Sequence, residues 1–124
     1  MPRILVVDDD AAILDLMHAL LAWLGHEVLS CRRATHAVAL ARDASPDLVI
    51  LEPCLGRESG VGLYRQLRRD PRTAAIPVIV CSVQRDPAVS RLLGHGSPHV
   101  VAKPFRVKAF AAAVTKALLR AVAS

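Results

Sequence analysis

The sequence predicts an α/β fold: a doubly wound, five-stranded parallel sheet flanked by five helices. Two observations carry that prediction. Five short runs, Ile4–Val7, Glu27–Cys31, Asp47–Glu52, Ile76–Ser82 and Val100–Ala102, are rich in Val, Ile and Leu, and strands buried on both faces read as near-continuous apolar runs. Segments with helical spacing separate them, and strands alternating with helices pack as a parallel sheet covered on both sides. Right-handed crossovers then lead to the doubly wound sandwich.

Taken in order, the first run ends in Asp8, Asp9 and Asp10. Beyond it Ile13, Leu16, Met17, Leu20, Leu21 and Leu24 recur at helical spacing, Asp10 is placed to cap that helix, and Gly25 closes it. Glu27–Cys31 is the second strand. Ala34–Ala44 is an alanine-rich helix broken by Ser45 and Pro46, and Asp47–Glu52 is the third strand. Pro53 to Ser59 reads as a loop with Gly56 and Gly60 as its pliable points. Ser59 is placed to cap the helix Val61–Arg69, whose inner stripe is Leu63, Tyr64 and Leu67, and Asp70–Pro71 stops it. After the fourth strand, Ile76–Ser82, Asp86 and Pro87 read as N-cap and first-turn proline of a short helix ending near Leu93–Gly94. The fifth strand, Val100–Ala102, leads to a last helix from about Arg106 to Val122, with Val107, Phe110, Val114, Leu118 and Val122 on one face. With no internal repeat, low-complexity tract or linker, residues 1–124 read as one domain.

Hydrophobic residues make up 53% of the chain, which supports a continuous core. The longest apolar runs fall far short of the roughly 20 residues a membrane span needs, and no small-residue cleavage site follows the N-terminus, so the expected location is cytoplasmic. Cys31, Cys54 and Cys81 form no CxxC pair and the five histidines no ligand cluster; free, mostly buried thiols are expected. The net charge is +5, and Arg65, Arg68, Arg69 and Arg72 cluster. Trp23, Tyr64, Phe105 and Phe110 are the only aromatic residues, and none interleaves with those arginines as a base-stacking surface requires. The basic residues read as a solvated face, without nucleic acid as partner.

Chemistry in an open parallel sheet collects at the carboxyl ends of the strands. Asp8, Asp9 and Asp10 follow the first strand, Glu52 ends the third, Ser82 the fourth, and Lys103 follows the fifth. Carboxylates gathered at one edge repel each other and take up protons unless neutralised; a hard divalent cation with oxygen ligands, plus one lysine, answers that charge. Singly, each residue has a plainer reading: Asp8 and Asp9 as acids reinforcing a helix start, Ser82 as a turn cap, Lys103 as an ordinary ion-pair partner. A shared site accounts for all of them at once.

Four stretches, Ile4-Leu-Val-Val-Asp-Asp9, Pro46-Asp-Leu-Val-Ile-Leu51, Ile76-Pro-Val-Ile-Val-Cys-Ser82 and Lys103-Pro-Phe105, stand in the order and spacing of response-regulator receiver domains. The chain resembles these CheY-like phosphoacceptor modules of two-component, phosphorelay signal transduction over essentially its whole length. The resemblance implies the sheet order 2-1-3-4-5. It implies Mg²⁺ placed by Asp8, Asp9, the acceptor position Glu52 and the backbone carbonyl of Cys54. It gives the Cys54 N–H and the Ser82 hydroxyl to the phosphoryl group, Lys103 to the acceptor carboxylate and phosphoryl oxygens, and Pro104 the place of the proline that follows. The implied partners are a sensor histidine kinase or another signalling protein. Pairing with a second copy of the chain is also open, through the surface of the fourth helix, fifth strand and fifth helix that family members commonly use, where Ala109, Ala112, Ala113 and Leu119 make the last helix unusually sparse in charge.

The sequence departs from that family at its acceptor, where glutamate, Glu52, replaces the usual aspartate. One more methylene carries the carboxylate about 1.5 Å further, one C–C bond, towards Lys103 and Ser82, and Pro53 holds it extended. Val83 replaces a small residue and is expected to crowd the phosphoryl pocket. Val100 replaces the switch aromatic, and Gly56 and Ser59 replace the usual proline and aspartate of the loop. The expectation is therefore a pseudo-receiver, not an enzyme, acting through protein–protein interaction without normal aspartyl phosphorylation and with Mg²⁺ binding weakened or lost. The alternatives are a working Mg²⁺-dependent phosphoacceptor at Glu52 and a DxD-type phosphatase using Asp8-x-Asp10.

Overall fold

The computed structural model describes residues 1–83, 87, 89 and 99–123. Its elements are β1 (Arg3–Val7), α1 (Ala11–Trp23), β2 (Glu27–Cys31), α2 (Ala34–Ala44), β3 (Leu48–Leu51), β4 (Cys54–Leu55), β5 (Glu58–Ser59), α3 (Gly60–Arg69), β6 (Val78–Val83), β7 (His99–Lys103) and α4 (Val107–Ala123). Five strands form one parallel sheet in the order β2-β1-β3-β6-β7. That is the expected 2-1-3-4-5 once the short β4–β5 pair is set aside. The helix expected from Asp86 to about Leu93 lies, but for Pro87 and Val89, outside the described residues.

Successive side chains on a strand point to opposite faces, and β1 shows the consequence: Leu5 and Val7 join one core, Ile4 and Val6 the other. The first core packs against α2 and α3 through Ala37, Ala41, Leu63, Tyr64 and Leu67. The second packs against α1 and α4 through Leu14, Met17, Leu21, Phe110 and Val114. Burial on both faces is why these strands read as unbroken apolar runs. Tyr64 and Phe110 are the bulkiest wholly buried side chains; burying an apolar side chain of that class contributes about 1.5–3 kcal/mol.

The local signals act as their chemistry predicts. The Asp10 carboxylate accepts the N–H groups of Ala12 and Ile13 and so caps α1. Gly25 follows the other end of that helix at φ +92°, in the left-handed region where glycine carries no Cβ penalty. Ser59 Oγ accepts the Gly62 N–H at 3.0 Å and caps α3.

Three expectations need correction. On α1 it is Leu14, not Leu16, that reaches the core; leucine stands on so many sides of this helix that periodicity alone could not choose. On α4, Val107 is exposed and Ala113 is buried beside Phe110 and Val114, so Ala113 is no part of an exposed alanine face. The segment after β3 is not a plain loop, because β4 and β5 pair antiparallel, Cys54 opposite Ser59 and Leu55 opposite Glu58.

Gly60 is set by space rather than pliability. A Cβ there would stand 2.6 Å from Pro53 Cα and 2.7 Å from the carbonyl oxygens of Glu52 and Pro53. All three are backbone atoms, which have little freedom to move aside. Gly60→Ala is therefore expected to lower stability by about 1–3 kcal/mol, the usual cost of overpacking. Gly62→Ala meets only Ser59 side-chain atoms at 3.6 Å and is expected to raise stability by up to about 1 kcal/mol through helix propensity. Urea denaturation of the two variants reads the contrast, and a tolerated Gly60→Ala would contradict the close approach.

Candidate functional site

Strand register brings the site together. Val7 lies opposite Leu51 in the β1–β3 pair. The next residues stay in step, with the Glu52 N–H donating to Val7 O at 2.9 Å and the Asp8 N–H to Cys31 O at 3.1 Å. By the two-residue alternation Asp8 continues the line of Ile4 and Val6, Glu52 that of Leu48 and Ile50, and Lys103 that of Val101, all on the α1–α4 face. The side chains meet there. Lys103 Nζ donates to Asp8 Oδ2 at 2.7 Å and to Glu52 Oε2 at 2.7 Å. The other oxygens are also engaged: Asp8 Oδ1 accepts the Asp10 N–H at 2.9 Å and Glu52 Oε1 accepts the Cys54 N–H at 3.0 Å.

Asp8 is 2% exposed and Glu52 9%. Charges removed from water are tolerated only when paired and hydrogen-bonded, and two carboxylates face one ammonium here, an excess of one negative charge. Burial by itself would lower the Lys103 pKa. The hydrogen bonds to Asp8 and Glu52, with the charges behind them, outweigh it and raise the pKa above 10.5. A base whose native pKa is raised contributes its full stabilisation below its unfolded value and loses it as pH climbs through the native one. The contribution of Lys103 is thus complete across the neutral range and is lost only in strong alkali. Next to it, burial pushes the Cys81 thiol up to about 11, against the opposing pull of Lys103. Cys81 stays protonated and unreactive, whereas Cys54 is the exposed cysteine.

The remaining candidates are arranged differently. The Asp9 side chain is exposed, while its carbonyl accepts Arg32 Nε at 3.2 Å and Nη2 at 2.9 Å. Asp10 serves as the helix cap already described. Ser82 is 1% exposed near the end of β6. Val83 is 58% exposed and lies in register with Lys103 at the carboxyl edge of the sheet. Val100 packs with the core on the α2–α3 side. Among the described residues no three His, Cys, Asp or Glu side chains are grouped to hold a metal ion. Receiver domains generally bind Mg²⁺ at the phosphorylation site; between Asp8 and Glu52 stands the Lys103 ammonium.

Two contributors had no signal of their own in the sequence. Glu58, on β5, accepts the N–H groups of Ala34 at 3.2 Å and Thr35 at 3.1 Å and takes Arg33 Nε at 3.5 Å. It caps α2 from outside the helix, because Arg33 at the N-cap supplies no side-chain bond. Burial works to raise the Glu58 pKa, but the bonds from Thr35 and the charge of Arg33 outweigh it and hold the carboxyl below its ordinary 4.5. Arg32 likewise belongs to the site's surroundings through Asp9. The arginine cluster on and after α3 is partly structural: Arg68 donates to the carbonyls of Ala74 and Ile76 and lies over the Tyr64 ring, and Arg72 pairs with Asp70.

Residues 4–115 match the family described as response regulator receiver domain. The chain is 38% identical over 122 residues to the DNA-binding dual master transcriptional regulator RpaA of Synechocystis sp., covering 97% of this chain and 50% of that one. It is 35% identical over 106 residues to Protein PilH of Pseudomonas aeruginosa, covering 84% of this chain and 87% of that one. It superposes on the receiver domain of NtrX from Brucella abortus with a TM-score of 0.84 at 29% identity, covering 93% of this chain and 97% of that one. The chain belongs to the response-regulator receiver family, the CheY-like modules of two-component signalling. It spans about half the length of RpaA. Receiver domains interact with sensor histidine kinases and other signalling proteins. No helix among the described residues is long and apolar enough to cross a membrane.

Lys103→Met would leave the two carboxylates without their cation. Removing one partner of a buried ion pair costs about 3–5 kcal/mol, and the residual exposure of the lysine places the expected loss at the low end at neutral pH. Urea midpoints at neutral pH test this, and a variant as stable as its parent would contradict a buried triad.

Proposed function

We propose that this receiver domain is a pseudo-receiver, a protein-interaction module whose acceptor position is saturated from within. The carrying observation is the pair of bonds on Glu52, from the Cys54 N–H to Oε1 and from the Lys103 ammonium to Oε2. Family resemblance assigns those same two donors to an incoming phosphoryl group, and the extra methylene of glutamate lets the side chain reach them itself. A phosphoryl group on Glu52 would replace the single carboxylate charge by nearly two on the phosphate, at an edge that already carries an excess, and it would have to displace both donors. On this reading Mg²⁺ competes with Lys103 for Asp8 and Glu52 and is weakly held.

A pseudo-receiver of this kind is either locked in an active form or an inert scaffold, and the scaffold is the better supported. A carboxylate supplies one charge where a phosphate supplies nearly two, and Val100, partly buried against the core, stands where the resemblance calls for a switch aromatic. The partner of the scaffold is a sensor kinase or another signalling protein. DNA binding belongs to RpaA by its name and is not extended to this chain.

Intact mass after incubation with acetyl phosphate and Mg²⁺, for the native protein beside Glu52→Asp, separates this reading from a working acceptor at Glu52. The expected result is no adduct on the native protein and one phosphoryl adduct on Glu52→Asp, whose shorter side chain releases Lys103 and the Cys54 N–H. An adduct mapped to Glu52 in the native protein would overturn the proposal.

A further inference from the structure

We propose that the groove between the end of α1 and the outer side of α4 docks an acidic amphipathic helix of a partner protein, with a large apolar side chain of that helix seated against Trp23. Trp23 is 83% exposed, and Val107 and Leu119 on α4 are 54% and 65% exposed. Leu20, Trp23 and Leu24 face Val107, Phe110 and Ala111 across a cavity of about 270 Å³ with Lys108 at its edge. That is below the usual range of about 300–1,000 Å³ for small-molecule sites, which suits an inserted side chain better than a cofactor. From Ala111 the surface continues along α4 past Ala112, Lys116, Leu119 and Arg120.

Charge selects the occupant. The α4 segment carries Lys108, Lys116 and Arg120 and no aspartate or glutamate. None of these cations makes an ion pair among the described residues. Lys108 and Arg120 lie about 18 Å apart along the axis at 1.5 Å per residue, so a helix laid alongside can present carboxylates to all three. A second copy of the chain related by a two-fold axis would turn this same face upon itself and oppose cation to cation. A bilayer cannot enter a concave groove, and polybasic membrane patches use about 4–8 cations. An acidic helix with an apolar stripe satisfies both features, in the manner of helix-in-groove recognition with an aromatic anchor. This surface supplies a partner class for the interaction role proposed above, yet it involves neither Glu52 nor Lys103, so the phosphoryl experiment and the present one fail independently.

Trp23 is the sole tryptophan, so its emission reports the groove directly. The probe is a synthetic, end-blocked helical peptide of leucine and glutamate with leucine at helical spacing, beside a twin carrying lysine in place of glutamate. The acidic peptide is expected to shift Trp23 emission saturably to the blue and the basic twin to leave it unchanged. Lys116→Glu combined with Arg120→Glu, both at exposed positions, is expected to weaken binding at least about tenfold, and Val107→Asp to abolish the shift. The proposal is overturned by no saturable shift with the acidic peptide or by undiminished affinity in the double variant. It is equally overturned by a shift that only phosphatidylcholine–phosphatidylglycerol vesicles produce, or by sedimentation showing a dimer in which Trp23 emission is already blue.

Discussion

The Lys103 ammonium lies 2.7 Å from Asp8 and 2.7 Å from Glu52, and the carboxyl edge of the sheet is organised around it. Asp8 follows β1, Glu52 follows β3 and Lys103 ends β7, which is separated from β3 by β6 in the sheet order. One side chain therefore ties together strand ends that are not all neighbours and residues far apart in sequence. Two carboxylates buried side by side without that cation would have to bind a proton or draw a charge from solution. With it, every oxygen of the pair has a donor. A satisfied buried network resists intrusion, because removing any one member leaves the others bearing the desolvation cost.

Glu52 reaches the Cys54 N–H only because the segment after it is held in place, and the structure holds it at several points. Gly60 lets α3 begin against the Pro53 backbone, Ser59 caps α3, and Glu58 caps α2. Across the edge, Arg32 grips the Asp9 carbonyl. The loop that follows Glu52 is fastened to two helices, which agrees with the proposed scaffold more readily than with a two-state element.

The fold was readable in the sequence because buried parallel strands and capped helices each leave a local signature. Asp10, Gly25 and Ser59 stand where capping chemistry requires them, and the strand runs are apolar because both faces are covered. What was not readable depends on choices that local pattern leaves open. The two-residue strands β4 and β5 are too short to show a period. Leucine on most sides of α1 hid which one faces inward. For the site, the sequence showed two adjacent aspartates, Asp8 and Asp9, and did not say which of them meets Lys103. Strand alternation carries the missing distinction: Asp8 shares the parity of Ile4 and Val6, and it is Asp8 that meets Lys103. The Glu58 cap and the Arg32 contact join residues more than twenty positions apart, and no local pattern encodes them.

The most direct measurement is the titration of the Lys103 side chain by heteronuclear NMR, in the native protein and in Glu52→Gln. If the ammonium is shared by two buried carboxylates, its native pKa lies above the ordinary 10.5 and drops in Glu52→Gln, where burial persists but one of the two charges is gone. A Lys103 that titrates at or below its ordinary value and is indifferent to Glu52→Gln would place the ammonium in solvent, leave Glu52 unoccupied by its own protein, and contradict the saturated acceptor.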